Sequence, residues 1–249
     1  MTATLAEKLG AKPPEMSVEF ATMLFYGDPG TGKTRLIGTA GEDKRLGPMI
    51  IADIEGGVIT LRKMKGIEVV QIRTMDQFEK LINELANDTT GYYKSFGCDG
   101  ITELQKLDMG TVMKQAKLSA RNPDNVDIDV PSPREWGKSG ERMRRILRAA
   151  RDLPMHTFFT ALEAQETDQQ TDVTRFFPSI PGKLKNELSG FFDVVGRLEA
   201  KSVPGKPGEV MRTLQTARTT KVAAKDRFDI LPQLMENPTI PSMWDLITA

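Results

Sequence analysis

An α/β fold is what this sequence predicts, with a mostly parallel central sheet flanked by helices and an antiparallel C-terminal edge. Three observations predict it. Strand-like apolar runs alternate with amphipathic segments from Phe20 to Ala161, the order that builds parallel strands joined by crossover helices. A glycine-rich turn, Gly27-Asp28-Pro29-Gly30-Thr31-Gly32-Lys33-Thr34, lies between the first strand and the first helix. Beyond Asp193 the pattern changes to two strand-like runs joined across Pro204-Gly205-Lys206-Pro207-Gly208, which suits an antiparallel edge.

Each element has its own justification. Residues 1–17 are rich in Ala, Lys and Pro and read as a leader with Pro13-Pro14 as a stop, followed by one domain over 18–249. Phe20 to Tyr26 is a buried strand, and Lys33 to Ile37 opens a helix. Gly47 to Asp53 is a short apolar strand ending in acid, and Gly66 to Ile72 alternates as a half-buried strand does. Thr74-Met75-Asp76-Gln77 is a capping-box pattern that opens an amphipathic helix through about Leu85. Tyr92 to Cys98 forms a weakly apolar strand into Asp99, then Ile101 to Leu118 a helix. Asn122 to Pro133, rich in Asp, Asn and Pro, is a loop; Arg134 to Arg151 is a charged helix that Leu153-Pro154 breaks before the strand Met155 to Ala161. Gln165 to Gly182 is polar and reads as a loop, and Lys183 to Ser189 as a short helix. Asp193 to Glu199 and Val210 to Thr216 are the two edge strands.

Composition bounds the function. The 249 residues, 39% hydrophobic and 27% charged, are ordinary for a globular domain. No apolar run is long enough to span a bilayer, so no membrane partner is expected. A single cysteine, Cys98, excludes an internal disulfide and fits a reducing cytoplasm; a single histidine, His156, argues against a common zinc site. Net charge is zero, yet ten Lys/Arg stand against five Asp/Glu from Lys114 to Arg151, and seven against two from Lys201 to Arg227. Such stretches suit either phosphate contacts or solvated helix faces.

The glycine-rich turn carries the chemistry. Gly-x4-Gly-Lys-Thr between a strand and a helix is a P-loop: backbone N–H groups wrap a phosphate, Lys33 reaches the β- and γ-phosphates of ATP, and the Thr34 hydroxyl ligates Mg2+. Gly27 through Thr34, with Arg35 behind them, form the nucleotide-binding stretch. A P-loop ATPase needs a further carboxylate for the metal; Asp99 at a strand end is the candidate, its other use being a helix N-cap. Something must also orient the attacking water. Glu55, in Asp53-Ile54-Glu55-Gly56-Gly57 just past the next strand, is placed at the nucleotide crevice of a doubly wound sheet, unless it belongs to a plain acidic surface turn.

These residues carry a resemblance. A strand ending in Asp-x-Glu-Gly after the P-loop helix, then a strand ending in Asp before a long helix, resembles the RecA-type recombinase core. Ile51-Ala52-Asp53-Ile54-Glu55-Gly56-Gly57, Asp99-Gly100-Ile101-Thr102-Glu103-Leu104 and Ala224-Lys225-Asp226-Arg227 more closely resemble a group of phage-encoded, core-only RecA relatives proposed to act as single-strand annealing recombinases. The likeness runs from about Phe20 to Leu246 and implies a RecA-like P-loop NTPase fold in which Glu55 activates water. It implies that Thr160 stands where a polar residue senses the γ-phosphate, although the usual Asn-Gln pair is replaced here by Thr160-Ala161. It further implies that Lys225 and Arg227 enter a neighbouring copy's ATP site. Single-stranded DNA would meet loops at about Ser119 to Pro133 and Glu163 to Gly182. The first offers Arg121 but also Asp124, Asp127 and Asp129; the second offers Arg175, Phe176, Phe177, Lys183 and Lys185, the two aromatics being equally suited to core or subunit contacts.

The reading is therefore an Mg2+-dependent ATPase that assembles with itself on single-stranded DNA in phage recombination, in the host cytoplasm, with a single-strand DNA-binding protein as a further partner. An AAA+-type loader or remodeller and a P-loop nucleotide or small-molecule kinase are the alternatives. The loader would carry a helical lid and an arginine sensor after the core; the kinase would carry a mobile Arg-rich lid.

Overall fold

A computed structural model describes residues 4–11, 19–203, 205–206 and 208–249. Its elements are α1 (Leu5–Leu9), β1 (Thr22–Gly27), α2 (Lys33–Gly38), β2 (Met49–Asp53), β3 (Ile67–Gln71), α3 (Met75–Asn87), β4 (Ser95–Asp99), α4 (Ile101–Leu118), α5 (Pro133–Arg151), β5 (His156–Thr167), β6 (Thr174–Pro178), α6 (Leu184–Glu187), β7 (Val194–Ser202), β8 (Val210–Gln215), β9 (Lys225–Asp226), β10 (Leu234–Glu236) and α7 (Ile240–Ile247). The Pro13-Pro14 stop, and Pro204 and Pro207 of the C-terminal turn, lie outside the described residues.

The sheet runs β10-β8-β7-β1-β5-β4-β2-β3. Six neighbours, β3, β2, β4, β5, β1 and β7, are parallel, whereas β8 and β10 close the edge antiparallel. This is the mostly parallel α/β sheet with an antiparallel C-terminal edge that the sequence predicts. One strand, β5, separates the P-loop strand from the strand of Asp99. Register then fixes what meets at the C-terminal rim. Asp53 pairs with Asp99, Cys98 with Phe159, and Phe25 with Thr160, so Asp53, Asp99 and Thr160 stand in one row just below Gly27.

Alternation along the strands explains the continuous apolar runs. In β1, Leu24 and Tyr26 enter a core with Phe78 of α3, Ile101 of α4 and Met143 of α5, while Met23 and Phe25 enter a second core with Leu36 of α2 and Met243 of α7. The Thr74 capping box is formed, with Gln77. Much of the charge on α5 ties helices together. Arg142 bridges Asp76 and Glu79 of α3 and the fully buried Asp108 of α4 at 2.5, 2.8 and 3.3 Å, and Arg144 pairs with Glu187 at 2.7 Å. These arginines are spent on the fold rather than on a mobile lid.

One feature departs from the sequence reading. The polar stretch from Gln165 is no loop: β5 continues to Thr167 and pairs antiparallel with β6, Gln165 opposite Phe176 and Ala164 opposite Phe177. Leaving the sheet, the hairpin loses the two-sided burial that makes strands apolar, so its sequence turns polar while its backbone stays extended. The chain ends in α7, which carries Trp244, is opened by a Thr239–Ser242 capping box and is docked by the Ile240 N–H donating to Thr39 Oγ1 at 2.8 Å.

His156 is structural. Its Nδ1 accepts the Ala21 N–H at 3.2 Å, its ring meets Trp244 edge-on at 4.4 Å, and burial lowers its pKa from 6.5 to about 4. The folded form is neutral, so between pH 6.5 and about 4 the unfolded chain binds the extra proton and stability falls as pH falls. Urea melts at pH 7 and pH 5 should show a loss of roughly 1–2 kcal/mol attributable to this residue. His156→Asn, which keeps an acceptor in place but cannot titrate, should lack that increment; equal pH dependence in both proteins would remove His156 from the acid limb.

Candidate functional site

The site is built on the rim that register creates. At the N-cap of α2, Gly32 adopts φ +98°, a left-handed conformation that turns the loop into the helix. Thr31 Oγ1 donates to Asp28 O at 2.9 Å, and Lys33 Nζ donates to Gly27 O at 2.8 Å and Asp28 O at 2.9 Å. Lys33 is buried, and burial pushes its ammonium below the usual lysine range against the pull of Glu55, Asp99 and Asp28. A buried ammonium bonded to two main-chain carbonyls, and in no ion pair among the described residues, is suited to an anion of several charges.

Next to it, Thr34 Oγ1 donates to Asp99, 2.9 Å from Oδ2 and 3.1 Å from Oδ1. Thr160, fully buried, donates its hydroxyl to Asp99 Oδ1 at 2.7 Å. Burial raises the Asp99 pKa, and the bonds from Thr160 and Thr34 pull it back. The cap of α4 is Gly100, not Asp99, which leaves the carboxylate aimed at the P-loop. Asp53 shapes the neighbouring turn by accepting the Gly56 N–H at 2.8 Å. That turn lays Glu55 over Gly100, where an added Cβ would sit 2.4 Å from Glu55 Cγ and 2.7 Å from Oε1. Burial first, then the charge of Asp99, raises the Glu55 pKa, and Lys33 lowers it.

Lys33, Thr34, Asp99, Thr160 and Glu55 thus come together. Among the described residues no three His, Cys, Asp or Glu gather closely enough to hold a metal unaided. One hydroxyl beside one buried carboxylate nevertheless fits Mg2+, which typically takes one or two carboxylates and completes its shell from phosphates and water. A cation there would also favour the charged form of Asp99.

Other expected residues lie elsewhere. Lys225 pairs with Val195 in β7, and Asp226 with Val194, which in turn pairs with Met23 near the start of β1; this is the opposite end of the sheet from the P-loop. Lys225 Nζ donates to Phe192 O at 2.7 Å and Ser189 O at 3.0 Å, and Arg227 pairs with Asp193 at 2.6 Å. Neither reaches the P-loop of its own chain. Arg121 stands on the exposed turn after α4, and Lys183 caps α6.

Arg175, Phe176, Phe177 and Lys185 do converge, on an open groove of about 780 Å3 that Arg218 and Lys221 also line. Lys185 Nζ sits 4.0 Å from the Phe177 ring centre and pairs with Glu166 at 2.5 Å. Arg197 lies 3.8 Å over Phe176 and holds Glu163 at 2.6 and 3.0 Å. Arg218 and Lys221 were legible only as part of the basic stretch after Lys201. Nothing in the spacing of Arg212 reveals that its Nε donates to the P-loop carbonyl of Thr31 at 3.0 Å.

The family model of the AAA domain matches residues 19–228. The chain belongs to the AAA domain family. With its complete phosphate-binding loop it is a P-loop ATPase. After Asp193 this AAA domain continues as β7 to β10, with α7 as the one α-helix there among the described residues, rather than as a helical lid. No curated protein matches the sequence. Three of the solved structures similar to it follow. The KaiC-like protein PH0186 from Pyrococcus horikoshii OT3 has 14% identity and a TM-score of 0.45, over 88% of this chain and 90% of that one. The RadB recombinase has 15% identity and a TM-score of 0.42, over 85% and 84%. The flagellar accessory protein FlaH from Methanocaldococcus jannaschii has 10% identity and a TM-score of 0.45, over 95% and 92%.

The Thr160–Asp99 bond is open to direct test. Thr160→Val leaves a buried carboxylate one donor short and should cost about 1–3 kcal/mol in denaturant melts, whereas Thr160→Ser should cost less. Combined with Asp99→Asn the two substitutions should be clearly non-additive. Additive losses would mean that the hydroxyl does not act on Asp99.

Proposed function

We propose that this P-loop ATPase hydrolyses ATP with Mg2+ and acts, as an assembly of copies, on single-stranded DNA in recombination by strand annealing. One observation carries the hydrolytic part: Lys33, Thr34, Asp99 and Glu55 converge at one rim, and Lys33, Asp99 and Glu55 close no ion pair among the described residues. Lys33 would exchange its two loop carbonyls for the β- and γ-phosphates. Thr34 and Asp99 would hold Mg2+, which supplies positive charge against the phosphate oxygens. Glu55 would orient the attacking water and take its proton, and a carboxylate held above its usual pKa by burial is a better proton acceptor. Thr160, through its bond to Asp99, would respond to what Asp99 binds, which is how a residue at this place could sense the γ-phosphate.

The nucleic-acid part rests on the groove between β6 and the segment following β8. Four basic side chains beside two aromatics on one face suit a phosphate backbone with stacked bases. Lys225 and Arg227 would act on a neighbouring copy, and assembly would then have to exchange their present bonds to Ser189, Phe192 and Asp193. A phage origin, a single-strand DNA-binding protein as partner and a cytoplasmic setting complete the reading; the buried, unpaired Cys98 agrees with the last.

Glu55→Gln should keep nucleotide affinity within a few-fold while turnover drops by about 100-fold or more. The wild-type rate should rise with pH through a midpoint above the ordinary carboxylate range, since Glu55 must be deprotonated, and the variant should lack that limb. A variant that turns over normally would remove Glu55 from the chemistry. For the groove, Arg218→Glu with Lys221→Glu should weaken binding of a fluorescent oligo-dT by tenfold or more at low salt. Unchanged anisotropy titrations, or no DNA binding by the wild type in the presence of ATP, would instead direct the ATPase toward a protein substrate.

A further inference from the structure

The strands β7 and β8 each send an arginine toward the P-loop, and the two are treated differently. Arg197 of β7 is neutralised by Glu163, with Glu199 at 2.5 Å as a second partner. Arg212 of β8 makes no ion pair among the described residues. Its backbone is nevertheless fixed. The Arg212 N–H donates to Asn237 Oδ1 at 3.1 Å, and Arg212 O accepts the Asn237 N–H at 2.6 Å, just beyond the pairing of β8 with β10. From that anchor the side chain crosses to the phosphate loop, where Nε donates to Thr31 O. It lies so close to Gly32 that a Cβ there would be 2.6 Å from Nε and 3.2 Å from Cδ.

Three facts follow from this arrangement. The guanidinium spends one of its five N–H groups on the loop, and the four on Nη1 and Nη2 make no hydrogen bond to protein among the described residues. It brings a second cation to a loop that already holds Lys33, with no carboxylate of its own among the described residues, an arrangement suited to a polyanion. The absence of a side chain at Gly32 is what admits it. We propose that Arg212 is a phosphate-chain ligand supplied in cis, gripping the nucleotide's polyphosphate from the outer side of the P-loop while Lys33 holds it from within. The inference rests on the P-loop reading above and extends it by one residue, contributed by the C-terminal edge.

Titrations of the full chain with ATP and with inorganic tripolyphosphate, which has no base or sugar, test the assignment. Arg212→Gln should weaken both ligands by about tenfold or more and flatten the salt dependence of binding, and Arg212→Lys, which keeps the charge, should recover most of the loss. Thermal melts of the same proteins report whether each variant is folded, with Arg212→Lys as the folded comparator should Arg212→Gln not be. Wild-type affinity in Arg212→Gln would overturn the proposal. So would a loss for ATP alone, which points to the base or sugar, or an equal loss in both variants with unaltered salt dependence, which makes Arg212 only a brace on Thr31. The controls keep the two readings apart. If the wild type binds neither ligand, or Lys33→Ala binds like wild type, the P-loop reading itself fails; if those controls behave and Arg212→Gln is unaffected, only the Arg212 assignment falls.

Discussion

The carboxylate of Asp99 is the constraint around which the site is organised. It is buried at the end of β4, and an ionised group there is tolerable only if it is well supplied with donors. Thr34 supplies one from the first turn of α2, and Thr160 another from β5. Three elements distant in sequence are thereby pinned at one point of the rim, and the position of the P-loop helix relative to the sheet is set by that point. Gly100 belongs to the same constraint: with φ +105° and no side chain it lets α4 begin immediately after Asp99 and leaves room for Glu55.

Much of this was legible in the chain and some was not, for physical reasons. The P-loop announces itself because phosphate binding needs specific residues at specific offsets. Asp99 and Glu55 could be placed because parallel strands end at a common rim, so a carboxylate at a strand tip has few places to be. The hairpin of β5 and β6 escaped notice because the cue for a buried strand is an apolar run, and Gln165, Glu166 and Arg175 face outward on a ribbon that has left the sheet. The basic residues of α5 look like a surface for anions, yet Arg142 is consumed by Asp76, Glu79 and Asp108; ion pairing between elements is invisible until the elements are packed. Arg212 shows the same limit in the other direction, since its proximity to Thr31 depends on the lateral order of strands, which composition does not encode.

The C-terminal third is more than an edge. β8 carries Arg212 to the phosphate loop, and the segment that follows it contributes Arg218 and Lys221 to the basic groove, where Val222 bridges to Phe176. The Phe176 carbonyl in turn accepts the hydroxyl of Tyr26, one residue before the P-loop begins. One hydrogen bond thus ties the wall of the groove to the strand that carries the P-loop.

The length of β5 has a mechanical meaning. Leu162 is the last residue of β5 paired with β1, and Thr167 lies at the far end of the hairpin, about 17 Å away at the usual rise of extended chain. A strand braced by a partner along that span behaves as a lever arm. A rotation of roughly 5° about the Leu162 end displaces its tip by about 1.5 Å. Asp99 holds β5 at Thr160, two residues inside the sheet from that point, and Glu166 on the outer half lines the basic groove. The fold therefore supplies a gear ratio between the two.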